Sequence, residues 1–370
     1  MAIKVLIAPD KFKGTLTAIQ AANAIARGWK MARPDDRQTL LPISDGGDGF
    51  GPLLGKLLGT QTRRTTTLDA AHRPIESRWW LEPKSRTAVI ESANVIGLAM
   101  LPQGKFHPFD LDTFGLGKVL RRATAAGTTR CIIGIGGSAT NDGGFGMARA
   151  LGWRFLKRDG NDIERWPDLT SLHLVQPPKQ RRLFSKMTVA VDVQNPLLGR
   201  NGASHVYGPQ KGLPTTDIPL ADAALRRLAT LWTKQNSCAA KLPGAGAAGG
   251  LGFGLHCFLG AEIESGFGLF ARMAKLPKLM RKHDLVITGE GAMDRQTVMG
   301  KGVGELAKMA RKCGCECFAL AGKIEDVRKL NPYFNKSAAL TELTSSRKAE
   351  GDAAKWLEQL AGNLARQRAI

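Results

Sequence analysis

Residues 130–156 read RCIIGIGGSATNDGGFGMARALGWRFL and combine a short apolar run, a glycine-rich turn and an amphipathic stretch. The apolar run predicts a buried strand, and the stretch after the turn predicts a helix. The same order recurs where IKVLIAPD at 3–10 precedes TAIQAANAIARGWKMA at 17–32, and again from HDLVITGEG at 283–291. Strand followed by helix, repeated along a chain, indicates an α/β protein with a mainly parallel sheet.

A different texture between residues 60 and 90 suggests a second domain. Threonines and large aromatic residues alternate there, and DAAHRP at 69–74 has the composition of a turn. This pattern predicts an antiparallel strand pair that begins another domain, and a length of 370 residues also favours two domains. A closing helix is predicted from apolar residues at helical spacing, namely Ala353, Trp356, Leu357, Leu360 and Leu364.

The composition is strongly basic, with 53 Lys and Arg against 32 Asp and Glu and a formal charge of +21. Such a charge attracts anions, which include nucleic acids, acidic membranes and phosphorylated metabolites. The basic residues are dispersed and form none of the known nucleic-acid-binding motifs, so we expect no nucleic-acid partner. No apolar run is long enough to span a membrane or to form a signal peptide, so we expect a cytoplasmic protein without a membrane partner.

Six cysteines are present, and three of them lie in CGCEC at 313–317. The cluster lacks the CxxC pairs of zinc sites and alternates as a strand would. We therefore interpret these residues as reduced, structural thiols.

Acidic residues recur inside the glycine-rich turns, although the chain has few acids overall. The polar residues of these turns are Asp10, Lys11 and Lys13; Ser44, Asp45 and Asp48; Ser138, Thr140, Asn141 and Asp142; Asp192 and Asn195; Lys211; and Glu290, Asp294, Gln296 and Thr297. Glycine amides at a strand-to-helix turn favour phosphate. Carboxylates in the same turns would repel phosphate unless a cation such as Mg²⁺ lay between them. The pattern therefore favours a nucleotide with its metal, and phosphoryl transfer as the chemistry.

Alternative interpretations remain open from these residues alone. GIGGSA at 134–139 fits G-x-G-x-x-A, and Asp159 lies twenty residues further on, as in a dinucleotide fingerprint. A nicotinamide-dependent oxidoreductase of a small hydroxy acid is therefore the alternative function, although it does not explain the acids. Asp45 and Asp48 could also cap the following helix. PGAGAAGGLG, from 243, could either pack closely or contact a ligand.

Taken together, the turns resemble the glycerate kinase family of bacterial type I. The similar blocks, which follow the family's order along nearly the whole chain, are KVLIAPDKFKGTLTA, LPISDGGDGF, IIGIGGSATNDGGFGMARALGWRF, VAVDVQNPLLGRNGASHVYGPQKG, LPGAGAAGGLG and DLVITGEGAMDRQTVMGKG. The resemblance implies ATP-dependent phosphorylation of D-glycerate with Mg²⁺, usually at the 2-hydroxyl, which gives 2-phosphoglycerate. It also implies two α/β domains with the active site in the cleft between them. We place a parallel-sheet domain at 1–65 and 280–370, and an inserted mixed-sheet domain at 66–279.

The resemblance and the needs of phosphoryl transfer suggest roles for the residues of the turns. We expect catalytic roles for Asp192, Asp45, Lys11 and Asn195, with Asp192 as the base or orienting carboxylate. We expect Asp45, Asp192 and Glu290 to serve the metal. Substrate binding is expected of Asp10, Lys13, Ser44, Asp48, Lys211, Glu290, Asp294, Gln296 and Thr297. Nucleotide binding is expected of Gly136, Gly137, Ser138, Thr140, Asn141 and Asp142. The residues leave open which hydroxyl is phosphorylated, which acid is the base, whether the 134–146 turn contacts ATP or glycerate, and whether the protein is a monomer or a homodimer.

Overall fold

The computed structural model describes residues 1–233, 238–294, 297, 302–325 and 332–368. Its strands are β1 (Lys4–Ile7), β2 (Arg37–Leu40), β3 (Gln61–Leu68), β4 (Pro74–Glu82), β5 (Thr87–Glu91), β6 (Arg130–Gly134), β7 (Arg154–Leu156), β8 (Leu174–Gln176), β9 (Lys186–Val191), β10 (Glu262–Ser265), β11 (Leu285–Met293), β12 (Glu316–Ile324) and β13 (Lys336–Ala339). Its helices are α1 (Ala18–Ala32), α2 (Phe50–Leu58), α3 (Ala93–Ile96), α4 (Phe114–Ala125), α5 (Phe145–Ala150), α6 (Ala203–Tyr207), α7 (Ile218–Thr233), α8 (Ala247–Leu259), α9 (Gly266–Met273), α10 (Leu276–Met280), α11 (Gly302–Lys312), α12 (Ser346–Gly351) and α13 (Ala353–Gln367).

The chain divides into two compact units. Unit 1 comprises Met1–Asp45 and Phe267–Ile370, and unit 2 comprises Gly46–Gly266. The sequence places the domain boundaries near 65 and 280 instead. The first boundary lies before residue 65 because α2 packs within unit 2. A Cβ added at Gly51 in α2 would lie 2.0 Å from the ring of Trp80 in β4. The domain assignment and the expected cleft stay predictions.

Unit 1 contains a five-stranded parallel sheet in the order β13-β12-β11-β1-β2. Its central strand, β11, pairs through Leu285 and Ile287 with Val5 and Ile7 of β1, and all four side chains are buried. Apolar runs buried on both faces are typical of parallel strands. The prediction of buried parallel strands at both ends of the chain is thereby confirmed.

The closing helix is also confirmed. In α13, Ala353, Leu357, Leu360 and Leu364 are buried, and Trp356 packs against the same apolar core. Helix α13 lies so close to α1 that a Cβ added at Gly28 would meet the carbonyl oxygen of Glu358 at 1.9 Å. Glycine at this position therefore permits the two helices to pack.

Unit 2 contains a six-stranded mixed sheet in the order β10-β9-β6-β5-β4-β3. Strands β10, β9, β6 and β5 are parallel, whereas β4 pairs antiparallel with both β5 and β3. The antiparallel pair β3–β4 confirms the prediction for residues 60–90. Its turn is held by the Asp69 carboxylate, which accepts hydrogen bonds from the amides of Ala71 and Arg73, both at 2.9 Å. A separate pair, β7 and β8, is antiparallel.

In the described part of the chain, no cysteine forms a disulfide bond. Cys315 and Cys317 are buried, and burial raises the pKa of both thiols. No helix among the residues that the structure describes combines the length and the hydropathy that a membrane span needs.

The α1–α13 contact generates a stability prediction. Gly28→Ala forces a methyl group against the Glu358 backbone, and overpacking of this kind costs about 1–3 kcal/mol. The urea midpoint of the unit 1 transition should fall accordingly. Gly351→Ala is the matched control, because nothing lies within 4 Å of the position that its Cβ would occupy. Equal midpoints for the two variants would contradict this account of the packing.

Candidate active site

The carboxyl edge of the unit 1 sheet brings three acids together. The Asp10 amide, beyond the end of β1, donates to the carbonyl of Gly289 in β11 at 2.8 Å, which places Asp10 beside Glu290. Burial raises the pKa of Asp10 to about 8, and the negative charge of Asp45 is the next largest cause. Glu290 adds a smaller increase. These three carboxylates therefore interact across the ends of β1, β2 and β11.

Lys11 opposes this accumulation of negative charge. Its backbone amide donates to Oδ1 of Asp10 at 2.7 Å, and its ammonium group lowers the pKa of Asp10. Lys13 is exposed, and its backbone lies against Gly291, where an added Cβ would meet the Lys13 nitrogen at 3.0 Å. Ser44 is buried beside Asp45 in the chain. Both lysines and Ser44 thus belong to the same edge of the sheet as the acids.

The turn after β11 positions Glu290. Thr297 is fully buried, and its hydroxyl donates to Oε1 of Glu290 at 2.8 Å. The same hydroxyl accepts from the Asp294 amide at 3.1 Å, and the Asp294 carboxylate accepts from the Thr297 amide at 3.2 Å. The structure therefore unites these three expected residues, with Thr297 in a supporting role. Gln296 lies outside the described residues.

In unit 2, the glycine-rich turn after β6 is organised by Asp142, whose side chain is fully buried. Its Oδ2 accepts from the amide and hydroxyl of Thr113 at 2.9 and 2.7 Å and from the Gly146 amide at 2.9 Å. Its Oδ1 accepts from the Gly144 amide at 3.1 Å. Asp142 thereby joins the first turns of α4 and α5. This placement gives Asp142 a structural role, and its expected contact with a nucleotide stays a prediction.

The hydroxyl and amide side chains of the same turn also have internal partners. The Ser138 and Thr140 hydroxyls lie 2.9 Å apart, and Nδ2 of Asn141 donates to the Ser204 hydroxyl of α6 at 2.9 Å. All three residues of the turn are buried. The Gly136 amide donates to the Gly46 carbonyl at 3.2 Å. These bonds engage the Gly136 amide, Nδ2 of Asn141 and one of the two hydroxyl protons within the protein. The expected contacts of this turn with a nucleotide stay a prediction.

Gly137 is exposed and has a left-handed backbone, with φ of 77°. A Cβ at this position would lie 2.3 Å from Oδ1 of Asp48, so the Asp48 carboxylate rests directly on the turn. Asp48 is itself exposed. This part of the turn, with the adjacent carboxylate, is therefore open to a ligand.

Glu91, which the sequence analysis missed, binds the first amides of α2. Its carboxylate accepts from Gly49 at 3.0 Å and from Gly51 at 2.8 Å, while the residue is buried at the end of β5. Glu91 thus makes the cap that the sequence alternative assigned to Asp45 and Asp48. The signal for Glu91 in the sequence was an acid at the end of the buried strand TAVIE.

The segment PGAGAAGGLG packs against the turn that contains Asp142. A Cβ at Gly249 would lie 2.0 Å from the Thr140 carbonyl oxygen, and one at Gly254 would lie 2.4 Å from that of Gly143. The backbone is left-handed at Ala248, Gly249 and Gly250. Of the two interpretations left open from the sequence, close packing is the one that this geometry favours.

Lys211 is buried beneath the turn. Its Nζ donates to the Thr140 carbonyl at 2.6 Å, and the Asp142 carboxylate acts on its charge. Burial lowers the pKa of Lys211 to about 7, although Asp142 opposes the shift. Burial likewise raises the pKa of Asp142 to about 6, and the charge of Asp112 is the next cause. Lys211 therefore supports the turn through this hydrogen bond, and its expected role in substrate binding stays a prediction.

Asp192 and Asn195 follow β9. Asp192 is exposed at the carboxyl end of the strand, where residues of an α/β site are expected. Asn195 is half-buried, and its Nδ2 donates to the Asn201 carbonyl at 2.8 Å. Tyr207, which the sequence analysis missed, donates its hydroxyl proton to Oδ1 of Asn195 at 2.6 Å.

The dinucleotide alternative does not fit this topology. Asp159 lies in an exposed turn after β7, and its carboxylate binds Asn161. Strand β7 pairs with β8 in a separate small sheet, not beside β6. In a dinucleotide-binding fold, the acid belongs to the same sheet as the glycine-rich turn.

Among the described residues, no group of three or more His, Cys, Asp or Glu side chains is arranged to hold a metal ion. The expected metal set of Asp45, Asp192 and Glu290 therefore stays a prediction. Mg²⁺ commonly takes only one or two carboxylates, and waters and phosphate oxygens complete its shell. Asp45 and Glu290, which both act on Asp10, supply ligand chemistry of that kind.

Fold and site together define an α/β protein in which the parallel strands of both units end in acidic, glycine-rich turns, a pattern that suits phosphoryl transfer. The model of the glycerate kinase family matches residues 5–369. This chain belongs to the glycerate kinase family.

Curated relatives and a solved structure agree with this family assignment. The chain is 39% identical over 327 residues to a glycerate kinase of Halalkalibacterium halodurans, with 86% of this chain and 85% of the relative covered. It is 36% identical over 330 residues to glycerate 2-kinase of Escherichia coli, with 88% and 86% covered. A crystal structure described as glycerate kinase 2 of Salmonella typhimurium LT2 matches with a TM-score of 0.83 and 32% identity, and the match covers 100% and 99% of the two chains. The chain is thus a kinase, and these names support phosphorylation of glycerate.

The buried Lys211 generates a pH prediction. Below pH 7 the ammonium group of Lys211 is charged in both the folded and unfolded states, so the folded state bears the full free-energy cost of burying the charge. Above pH 7 only the unfolded state keeps the proton, so the stability of the wild type should rise relative to Lys211→Met, by about 1.4 kcal/mol per pH unit.

Urea unfolding of the two proteins between pH 6 and pH 9 measures this difference. Lys84→Met, at an exposed lysine of the same unit, is the control and should differ from the wild type by a constant amount. A pH-independent difference for Lys211→Met would show that Lys211 does not titrate in this range.

Proposed function

We propose that this protein transfers the γ-phosphoryl group of ATP to the 2-hydroxyl of D-glycerate and forms 2-phosphoglycerate and ADP, with Mg²⁺ as cofactor. The observation that carries the proposal is the family match over residues 5–369, together with relatives named glycerate kinase and glycerate 2-kinase. No comparison favours the oxidoreductase alternative. A monomer or homodimer in the cytoplasm stays our prediction.

The acids of unit 1 support the choice of cofactor. Asp45 and Glu290 would hold Mg²⁺, because hard carboxylate oxygens are its preferred protein ligands. When bound, Mg²⁺ would offset the negative charge of the phosphates during transfer. Thr297 keeps one oxygen of Glu290 oriented by its hydrogen bond of 2.8 Å. Lys11 and Lys13, at the same edge of the sheet, would bind the carboxylate of glycerate or a phosphate.

In unit 2, Asp192 would accept or orient the proton of the substrate hydroxyl. It is exposed at the end of a buried strand, whereas Asp142 and Glu91 are buried and bound to backbone amides. Asp48 and the exposed backbone at Gly137 would form the part of the turn that contacts phosphate or substrate hydroxyls. Exposure thus separates the acids proposed for chemistry from those that support the fold.

The direct test is incubation of the purified chain with D-glycerate, ATP and Mg²⁺, with the product identified by phosphorus NMR. We expect 2-phosphoglycerate and ADP, and loss of turnover when EDTA removes the metal. If 3-phosphoglycerate forms, the proposed position of transfer is wrong. No phosphorylated glycerate at all would refute the proposed function.

The base assignment has a test of its own. Asp192→Asn keeps the shape of the side chain but removes the proton acceptor, so kcat should fall by about 10²- to 10⁴-fold. Asp168→Asn, an exposed acid of the same unit, is the matched control and should retain wild-type turnover. If Asp192→Asn keeps most of kcat, another acid is the base.

A further inference from the structure

Tyr207 lies on α6, between two segments of the candidate site in unit 2. Its hydroxyl donates to Oδ1 of Asn195 at 2.6 Å, while Nδ2 of Asn195 donates to the Asn201 carbonyl at 2.8 Å. The Asn195 carbonyl in turn accepts from the Gly246 amide at 2.9 Å. The side-chain oxygen, the side-chain nitrogen and the backbone carbonyl of Asn195 therefore each have a hydrogen-bond partner. Of these three partners, Tyr207 is the one that donates from a side chain.

The same helix also binds the glycine-rich turn after β6. Ser204, three residues before Tyr207, is fully buried and accepts from Nδ2 of Asn141 at 2.9 Å. Residues three apart share one face of a helix. Asn141 has little room to move, because a Cβ on Gly249 would meet its Cα at 2.5 Å. Helix α6 thus connects this turn with the segment that contains Asn195.

Asp192 is the third member of this arrangement. It lies three residues before Asn195, and its negative charge acts on the Tyr207 phenol. Burial and then this charge raise the pKa of Tyr207 to about 12. The phenol therefore keeps its proton at neutral pH and remains a hydrogen-bond donor to Asn195.

We propose that Tyr207 is a positioning residue for phosphoryl transfer, which fixes the Asn195 amide beside Asp192 through its hydroxyl. The role rests on the proposed function, in which Asp192 orients the substrate hydroxyl. Tyr207 itself acts through Asn195 and touches no reacting atom. Without the phenol proton, Oδ1 of Asn195 loses its donor and the amide can rotate, which disturbs the groups around Asp192.

The test is Tyr207→Phe, which removes only the hydroxyl. Small misplacements of catalytic groups cost up to about 100-fold, so we expect kcat to fall by about 10- to 100-fold. The KM for ATP and the thermal midpoint should stay near their wild-type values. Tyr333→Phe is the matched control, because Tyr333 is the other tyrosine of the chain and lies in unit 1.

A double-mutant cycle distinguishes positioning from general support of the fold. If Tyr207 acts through Asn195, Tyr207→Phe should lower kcat little further in the Asn195→Ala background. The role would be overturned if the two substitutions lowered kcat independently, so that their effects multiplied. It would also be overturned if the Tyr207→Phe enzyme kept more than half of the wild-type kcat. If the wild-type chain is inactive on D-glycerate, the proposed function and this role are both overturned. If the wild type and the Tyr333→Phe control are active and Tyr207→Phe has the same kcat, this role alone is overturned.

Discussion

The buried carboxylate of Asp142 is the interaction on which the candidate site of unit 2 depends. It accepts four hydrogen bonds, from the amide and hydroxyl of Thr113 and from the amides of Gly144 and Gly146. Hydrogen bonds to a charged acceptor are strong in a medium of low dielectric constant, and leaving such a group without partners is costly. The turn after β6 and the first turns of α4 and α5 are therefore held in one arrangement.

The glycines around this carboxylate follow from the same constraint. The turn is packed so closely that Cβ atoms at Gly249 and Gly254 would overlap the backbone of residues 140–143. Lys211 adds a buried hydrogen bond to the Thr140 carbonyl, at 2.6 Å. The glycines around Asp142 are thus explained by close packing against a buried acid as much as by the space that a phosphate would need.

The acids divide into two groups by exposure. Asp142 and Glu91 are buried and satisfy backbone amides at helix starts, whereas Asp48 and Asp192 are exposed at the same edge of the sheet. Predicting this division from the sequence is difficult, since both groups occur in turns of the same composition. Apolar periodicity did predict the parallel strands, the β3–β4 pair and the closing helix. It could not show that α2 packs on Trp80, or that Tyr207 binds Asn195, because such contacts depend on tertiary structure.

Amide hydrogen exchange, measured by NMR on wild type and Asp142→Ala, tests the central role of this carboxylate most directly. The account predicts that the amides of Thr113, Gly144 and Gly146 are protected in the wild type and exchange at nearly unprotected rates in the variant. Amides of β9 and β10, in the same unit as Asp142, should keep their protection and thereby show that unit 2 of the variant is folded. Unchanged protection of the three amides in Asp142→Ala would contradict the account.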